Sequence, residues 1–229
     1  MNRPPGPGEG SNPWLEIPVS DYEGHMGSPQ VGQLQLLNQL FKRVLSETQP
    51  ESVAVLGCAT GNGFEHFDLA ITHAILAVDI NPSYLDVARQ RYRSLQAHLD
   101  LTCADLHTDC FRGRQFDLVH AGLVFEHVDA EIVLAHIYRA LKPQGRLSVV
   151  LQMPNRGLLA VSQTPYNSLE KLVPTMHLFE RDQFDDLARH AGFKPTSGEI
   201  LSLPSGKEFY FGIYHIDCHS EPPEALRRG

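Results

Sequence analysis

The hydrophobic positions of the chain first follow the period of a helix and then alternate between two kinds of segment. From Val31 to Leu45 apolar residues recur at helical spacing, which predicts an amphipathic helix that ends before Pro50. Beyond it, short apolar runs that stop at glycine, aspartate or turn residues alternate with longer segments of helical character. The predicted strands are residues 52–56, 74–78, 99–103, 116–121, 146–151, 200–203 and 208–216.

The segments between these strands predict the connecting helices. These are residues 61–69, residues 82 to about 98, a helix that follows Asp129 and ends before Pro143, and residues 181–190 with Gly192 as C-cap. Strands that alternate with helices form parallel βαβ units with right-handed crossovers. The short turn at residues 204–206 makes the last two strands antiparallel. We therefore predict an α/β fold with a doubly wound, seven-stranded, mostly parallel sheet and an antiparallel last strand.

The length and composition fit one such domain. The chain has 229 residues, of which 42% are hydrophobic and 20% are charged, as in an ordinary globular protein. Residues 1–13 hold four prolines and three glycines. We therefore expect residues 1–30 to form a flexible N-terminal tail and possible lid, residues 31–219 to form the single domain, and residues 220–229 to form a C-terminal tail.

Charge and cysteine content narrow the class of protein further. A formal net charge of −8 gives no global reason to bind nucleic acid. The four cysteines include no CxxC pair, which is typical of reduced thiols in the cytoplasm. No apolar run approaches the roughly 18 residues that cross a bilayer, and no secretory signal begins the chain. We expect a cytoplasmic protein without nucleic-acid or membrane partners, and no pattern indicates its oligomeric state.

Two neighbouring strand ends carry the residues that suggest chemistry. The first strand runs into Gly57, Gly61 and Gly63, and the second ends at Asp79. In a doubly wound sheet the ligand lies beyond the carboxyl ends of the strands, where glycines let the backbone approach it and a carboxylate accepts hydrogen bonds from ribose hydroxyls. The spacing fits neither the GxGxxG dinucleotide motif nor a P-loop. The pattern predicts a site for a nucleoside-bearing cofactor.

Five segments in order resemble the motifs of class I S-adenosylmethionine-dependent methyltransferases. They read VAVLGCATGNG, AVDINPSYLDVAR, CADL, FDLVHAGLVFEHV and ALKPQGRLSVV. The resemblance spans residues 50–217, and it implies a Rossmann-like methyltransferase fold with S-adenosyl-L-methionine as cofactor. The cofactor-binding residues that it implies are Gly57, Cys58, Ala59, Gly61, Asp79, Ile80, Asp105, Leu106, His120 and Ala121.

The same resemblance gives these residues their expected roles. Asp79 would hold the ribose, Asp105 would accept from the adenine amine, and His120 and Ala121 would line the methionine side near the methyl group. Two positions depart from the family. Val55 stands where a carboxylate often orders the glycine loop, and Ala59 stands where glycine is usual. We expect the extra methyl at Ala59 to be tolerated only if its φ is negative.

The residues that would act on the acceptor are harder to read from the sequence. His127 and Glu126 follow the fourth strand, and either could handle a proton or simply hold the loop. Tyr22 and His25 precede the first helix in a segment that is either a lid or a surface loop. We take His127, Tyr22 and His25 as catalytic candidates. The loop of residues 153–177 offers further polar groups, namely Asn155, Arg156, Gln163, Tyr166 and His177.

A metal site is not predicted. His215, Asp217 and His219 would share one face of a strand while Cys218 faces away, and the spacing matches no standard zinc site.

We predict a methyltransferase that passes a methyl group to a small-molecule acceptor by in-line displacement. The alternative is a non-catalytic S-adenosylmethionine-binding module, which the departures at Val55 and Ala59 favour. Methylation of nucleic acid or protein is disfavoured, because the chain is acidic and no NPPY-like tetrapeptide follows the fourth strand.

Overall fold

The structure is a computed structural model that describes residues 12–155 and 157–216. Within this part of the chain the strands form one seven-stranded sheet in the order β3-β2-β1-β4-β5-β7-β6. The strands are β1 (Ser52–Leu56), β2 (Ala74–Asp79), β3 (Leu99–Cys103), β4 (Phe116–Gly122), β5 (Leu141–Gln152), β6 (Phe193–Ser202) and β7 (Glu208–Ile216).

Helices cover both faces of this sheet. The α-helices are α1 (Val19–Gly27), α2 (Gln33–Thr48), α3 (Pro82–Arg91), α4 (Ala130–Ala140) and α5 (Arg181–His190). Short 3₁₀ helices occur at Pro13–Glu16, Phe64–His66, Arg93–Leu95, Phe125–His127 and Asn167–Thr175. Asn81 caps α3 through its side chain and Asp129 caps α4, as the sequence predicts.

The strand pairing confirms the predicted fold class. β1 pairs in parallel with β2 and with β4, and the strand order reverses between those two neighbours. β2 and β3 are also parallel, as are β4 and β5. β7 runs antiparallel to both β5 and β6. The switch point of the sheet therefore lies at the carboxyl ends of β1 and β4, where open α/β sheets bind ligands.

The core explains why the central strands are mostly apolar. All five residues of β1 are buried, and its alternate residues enter opposite halves of the core. Ala54 and Leu56 join the cluster under α4 and α5, whereas Val53 and Val55 join the cluster under α2 and α3. A strand covered on both faces loses the apolar–polar alternation of a half-exposed strand.

The prediction of a helix over residues 61–69 is wrong. The segment contains only the 3₁₀ turn Phe64–His66, preceded by Gly61 and Gly63 at φ values of 85° and 89°. Two glycines with positive φ, separated by Asn62, prevent an α-helix from starting earlier. A side chain at Gly63 would also approach Cδ1 of Phe41 to 2.7 Å, so the glycine is required by packing as well.

Several predicted boundaries also shift. α3 ends at Arg91 instead of continuing to about residue 98. β5 begins at Leu141 instead of residue 146, and its pairing with β4 has an irregularity between Phe116 and Leu118. β6 begins at Phe193 instead of residue 200, and because it is a largely exposed edge strand it lacks the apolar run that marks the others.

The N-terminal region contains regular structure where it is described. Of residues 1–30, the structure describes residues 12–30, which include the 3₁₀ helix Pro13–Glu16 and α1. Residues 1–11, residue 156 and residues 217–229 lie outside the described residues, and with them the C-terminal tail and the segment from Asp217 to His219. Among the described residues, no helix has the length and apolar character needed to span a bilayer, and no three His, Cys, Asp or Glu side chains cluster as metal ligands would.

Candidate active site

A cleft opens beyond the carboxyl ends of the parallel strands. Its volume is about 1090 Å³, which includes the space that is open to solvent. The five parallel strands, β1 to β5, each contribute wall residues at or just after the carboxyl end. These are Gly57 after β1, Asp79 and Ile80 at β2, Ala104 after β3, Gly122 at β4 and Gln152 at β5. The cleft therefore occupies the ligand position of a doubly wound sheet.

The loop after β1 turns sharply beneath this cleft. Gly57 has a φ of 60°, and a Cβ placed on it would lie 2.7 Å from Cγ2 of Val124. The Cys58 amide donates to the carbonyl oxygen of Val78 (3.0 Å), which ties the loop to β2. Gly57 and Ala59 line the cleft, so backbone atoms form this part of the wall.

Ala59 does not meet the condition that the sequence sets for it. The sequence argument tolerates a methyl group there only at negative φ, but the φ of Ala59 is 46°, in the left-handed region. An L-residue pays about 1–2 kcal/mol for that conformation. The backbone is held in place by a hydrogen bond from the Ala59 amide to Oδ2 of Asp79 (2.8 Å).

Asp79 is the buried carboxylate of the cleft. Besides the Ala59 amide at Oδ2, it accepts a hydrogen bond at Oδ1 from the Asn81 amide (2.8 Å). Burial raises its pKa from 3.8 to about 6, against the opposing effect of the backbone hydrogen bonds. Each carboxylate oxygen has a second lone pair, so the oriented group retains acceptors for two hydroxyls. A ribose held at the switch point fits this arrangement.

The next part of the wall lies at the ends of β2 and β3. Ile80, Asp105 and Leu106 all line the cleft there. Oδ1 of Asp105 accepts from the His107 amide (2.9 Å) and lies 2.7 Å from Nδ1 of the same residue. Nε2 of His107 accepts from the Asp129 amide (3.0 Å), which assigns the proton to Nδ1. His107 therefore links the Asp105 loop to the start of α4, a role that no sequence motif indicates.

Four of the residues expected to bind the cofactor lie outside the wall of the cleft. They are Cys58, Gly61, His120 and Ala121. His120 is buried under α2, with Nδ1 3.1 Å from Oγ of Ser148 and its ring 4.7 Å from that of Phe41. Burial lowers its pKa to about 4, so it is neutral. The wall at this strand end is formed instead by Gly122 and Leu123.

The N-terminal segment forms one side of the cleft. Tyr22, His25 and Met26 of α1 line it, together with Trp14. The Tyr22 ring lies 5.1 Å from that of Tyr84 on α3, so it covers the β2 end of the cleft. Burial raises the pKa of the Tyr22 hydroxyl, with a contribution from Asp79. This hydroxyl stays protonated near neutral pH and is a donor, not a base.

Polar contacts attach α1 to elements on two sides of the cleft. Glu23 accepts a hydrogen bond from Oγ1 of Thr60 in the glycine loop (2.6 Å) and pairs with Arg91 of α3 (2.8 Å). On the other side, Asp21 accepts from Oγ of Ser168 (2.6 Å) in the segment that follows β5. α1 thus bridges the cofactor side and the opposite side of the cleft.

His25 has one nitrogen engaged and one available. Its Nδ1 lies 3.0 Å from Oγ1 of Thr164, and Nε2 has no hydrogen bond to any described residue. Burial and the positive charge of Lys207 lower its pKa below the ordinary 6.5. The imidazole is therefore neutral near pH 7 and can accept a proton in the cleft.

Glu126 and His127 stand together in the 3₁₀ helix after β4. Glu126 is 1% exposed, and its Oε1 accepts from the Gln152 amide (2.6 Å). His127 packs edge-on against Trp14 with ring centroids 4.9 Å apart, and burial lowers its pKa to about 4. Oε2 of Glu126 and Nδ1 of His127 are buried without a hydrogen-bond partner among the described residues. Buried polar atoms without a partner are uncommon in folded proteins, so these two need an explanation.

Comparisons with known proteins point to one family. Residues 55–149 match the family model described as a methyltransferase domain. The chain is 34% identical over 101 residues to a demethylmenaquinone methyltransferase of Lactobacillus johnsonii. The matched region covers 43% of this chain and 37% of that protein. The chain therefore spans well under half the length of that relative.

Two solved structures share the fold at low sequence identity. Magnesium protoporphyrin IX methyltransferase from Synechocystis, with bound S-adenosylhomocysteine, superposes with a TM-score of 0.65 at 15% identity over 86% of this chain and 93% of that chain. The [4+2]-cyclase SpnF superposes with a TM-score of 0.64 at 16% identity over 82% of each chain. The fold, the position of the cleft and the family model agree. The chain therefore contains a methyltransferase domain over residues 55–149, and its fold is that of solved methyltransferases.

Proposed function

We propose that the protein is an enzyme that transfers the methyl group of S-adenosylmethionine to a small-molecule acceptor. The observation that carries this proposal is the oriented carboxylate of Asp79 at the switch point of the sheet, within reach of the cleft. The enclosed shape of the cleft supports a small acceptor, because α1 and the segment after β5 both stand over it. The Lactobacillus relative, by its name, acts on demethylmenaquinone, which is also a small molecule.

In this proposal the chain holds the cofactor along the strand ends. Asp79 accepts from the ribose hydroxyls, Ile80 and Leu106 pack on the adenine, and Asp105 accepts from its amine. The backbone around Gly57 faces the amino-acid portion. The cofactor, when bound, supplies an activated methyl group on sulfur, so the protein mainly has to align the acceptor and exclude water. Tyr22 contributes to that exclusion, and His25 lines the cleft with its Nε2 not hydrogen-bonded to any described residue.

Calorimetry with S-adenosylmethionine and S-adenosylhomocysteine tests the cofactor site. We expect binding to the wild-type protein and at least tenfold weaker binding to Asp79→Ala, since a hydrogen bond to a charged group contributes about 1.5 kcal/mol or more. Asp79→Asn keeps one side-chain oxygen for the backbone, so it separates loss of the ribose contact from collapse of the glycine loop. Asp86→Asn, on the exposed face of α3, is the matched control. An absence of heat with the wild-type protein at tens of micromolar would contradict the proposal.

The second candidate is a module that binds the cofactor without transferring its methyl group. The fold alone does not decide between them, because one protein of this fold is a [4+2]-cyclase. The departure at Ala59, which the structure places in a strained conformation, favours this candidate. Formation of S-adenosylhomocysteine in the presence of an acceptor distinguishes the two. We also propose a cytoplasmic location, which the free thiols of Cys58, Cys103 and Cys110 support.

A further inference from the structure

Glu126 gives the wall of the cleft an unusual chemistry. One oxygen of this carboxyl group has a structural role, because Oε1 accepts from the Gln152 amide at the end of β5. The backbone oxygen of Glu126 accepts from the His177 amide (2.8 Å), which fixes the residue from the opposite side. Oε2 is left without a partner among the described residues although the side chain is almost fully buried. A carboxylate oxygen is costly to bury without a hydrogen-bond partner, so we expect a bound ligand to donate a hydrogen bond to Oε2.

Glu126 lines a cleft whose wall is mostly apolar. Leu123 precedes it in the chain, and Val161, Leu172 and Met176 line the cleft from the segment after β5. Leu172 belongs to a cluster with residues of α1, and Met176 and Val161 pack against that cluster. A molecule that fills the cleft therefore gains most of its binding free energy from the burial of apolar surface.

The charge of the cleft limits which acceptors it can take. Within the described residues its ionisable groups include the carboxyl groups of Asp79, Asp105 and Glu126 but no lysine or arginine. The buried amine of Lys207 is behind the wall, where it donates to the carbonyl oxygen of Ala160 (2.6 Å). An anionic acceptor would meet these carboxyl groups, and the Lys207 amine whose charge acts on His25 already donates to Ala160, so a carboxylate or phosphate on the acceptor is disfavoured.

We propose that the acceptor is an uncharged, mainly apolar molecule with a hydroxyl group, and that this hydroxyl donates its hydrogen bond to Oε2 of Glu126. This inference rests on the proposed function and adds the substrate class and its recognition residue. In the transfer, a new C–O bond forms as the C–S bond breaks with its electron pair going to sulfur, and the hydroxyl proton goes to Oε2. The carboxylate and the sulfonium charge both disappear in that step, so the balance needs no further reactant.

The state of the carboxyl group suits this role. Burial raises the pKa of Glu126 from 4.5 to about 7, so the group can accept a proton near neutral pH. An amine acceptor would arrive as an ammonium ion and would have to leave its hydration shell among Leu172, Met176 and Val161, which costs more than desolvating a hydroxyl. A hydroxyl brings one donor, and Oε2 offers the matching acceptor.

Four naphthalene probes of similar size test this assignment by binding alone. 2-Naphthol carries a donor, 2-methoxynaphthalene carries none, 2-naphthoate is an anion and 2-naphthylmethylamine is a cation. We expect the wild-type protein to bind 2-naphthol about tenfold more tightly than 2-methoxynaphthalene, and to bind the two charged probes more weakly. Glu126→Gln keeps an oxygen for the Gln152 amide but places a donor at Oε2, so the preference for 2-naphthol should fall towards one. Glu131→Gln, an exposed substitution on α4, should leave the preference unchanged.

Turnover and cofactor binding complete the design. S-adenosylhomocysteine should form with 2-naphthol and wild-type protein, and its rate should fall at least tenfold with Glu126→Gln while calorimetric S-adenosylmethionine affinity stays the same. The inference is overturned if the cofactor binds but 2-naphthol shows no preference over its methyl ether, if a charged probe binds more tightly, or if no probe binds. A preference for 2-naphthol that Glu126→Gln leaves intact overturns the role of Glu126. Failure of the cofactor itself to bind would instead reject the proposed function.

Discussion

The left-handed conformation of Ala59 predicts that its replacement by glycine changes stability unusually little. Replacing a buried alanine by glycine normally destabilises a protein, because a methyl group is lost from the core and the unfolded chain gains freedom. Ala59 is buried at 6% exposure and contributes to the cluster beneath α1. Its φ of 46° is, however, a conformation that glycine adopts without strain.

The magnitudes can be worked out from these facts. Relief of the left-handed backbone contributes about 1–2 kcal/mol in favour of Ala59→Gly. Loss of one buried methyl group costs about 0.8 kcal/mol, and the greater freedom of the unfolded chain costs about 0.4–1 kcal/mol. The terms nearly cancel, so we expect the free energy of unfolding to change by less than about 1 kcal/mol.

Ala88 supplies the matched control. It is fully buried in the middle of α3, where backbone dihedrals are helical. Ala88→Gly loses a comparable methyl group and also about 1 kcal/mol of helix propensity, so we expect a loss of about 2 kcal/mol. Urea unfolding resolves that gap, since it corresponds to about 1 M in the midpoint. If Ala59→Gly lowers the midpoint as much as Ala88→Gly does, the left-handed strain at residue 59 is not real.

Two further predictions concern the glycine loop and Glu126. Gly63 and Gly113 both have positive φ, but a Cβ would lie 2.7 Å from Phe41 at Gly63 and meet nothing within 4 Å at Gly113. Urea unfolding should show losses of about 3 kcal/mol for Gly63→Ala and about 1 kcal/mol for Gly113→Ala, and equal losses would refute the packing argument. For Glu126, burial raises the pKa from 4.5 to about 7, so its contribution to stability is complete below pH 4.5 and is lost as the pH rises through 7. Relative to Glu126→Gln, the wild-type protein should lose about 3 kcal/mol of unfolding free energy between pH 4.5 and pH 8, whereas parallel pH profiles would contradict the shift.

The sequence predicts the central sheet well for a physical reason. β1, β3, α5 and β7 begin and end where the sequence patterns place them. The strands inside the sheet, such as β1, are covered by helices on both faces, so continuous apolar runs mark them clearly. The edge strand β3 is marked instead by the alternate residues Leu99 and Leu101, which pack against the core. The edge strand β6 has no such covering and was predicted seven residues too short at its start, since burial does not constrain its composition.

Part of the candidate site could likewise be predicted from the sequence, and part could not. The glycine turn and Asp79 could be identified because local backbone geometry and a strand end require those residue types. His107 could not be identified, and Glu126 could be named only as a group that handles a proton or holds the loop, since the significance of both depends on atoms distant in sequence. Glu126 depends on the amide of Gln152, and His107 depends on the amide of Asp129. No periodicity along the chain encodes such contacts.

The contacts of the glycine loop weaken the argument that Val55 favours a non-catalytic module. A carboxylate at this position would orient the glycine loop from β1, but Val55 is instead packed in the core. Two other carboxylates hold the loop in its place. Asp79 binds the Ala59 amide from β2, and Glu23 accepts from Thr60 across the cleft from α1. Because the second of these contacts comes from the element that covers the cleft, order in the loop and closure of the cleft stabilise each other. Val55 therefore gives weak support to a module that does not transfer methyl groups. The strain at Ala59 is the stronger argument for that candidate, and the unfolding and turnover measurements test it.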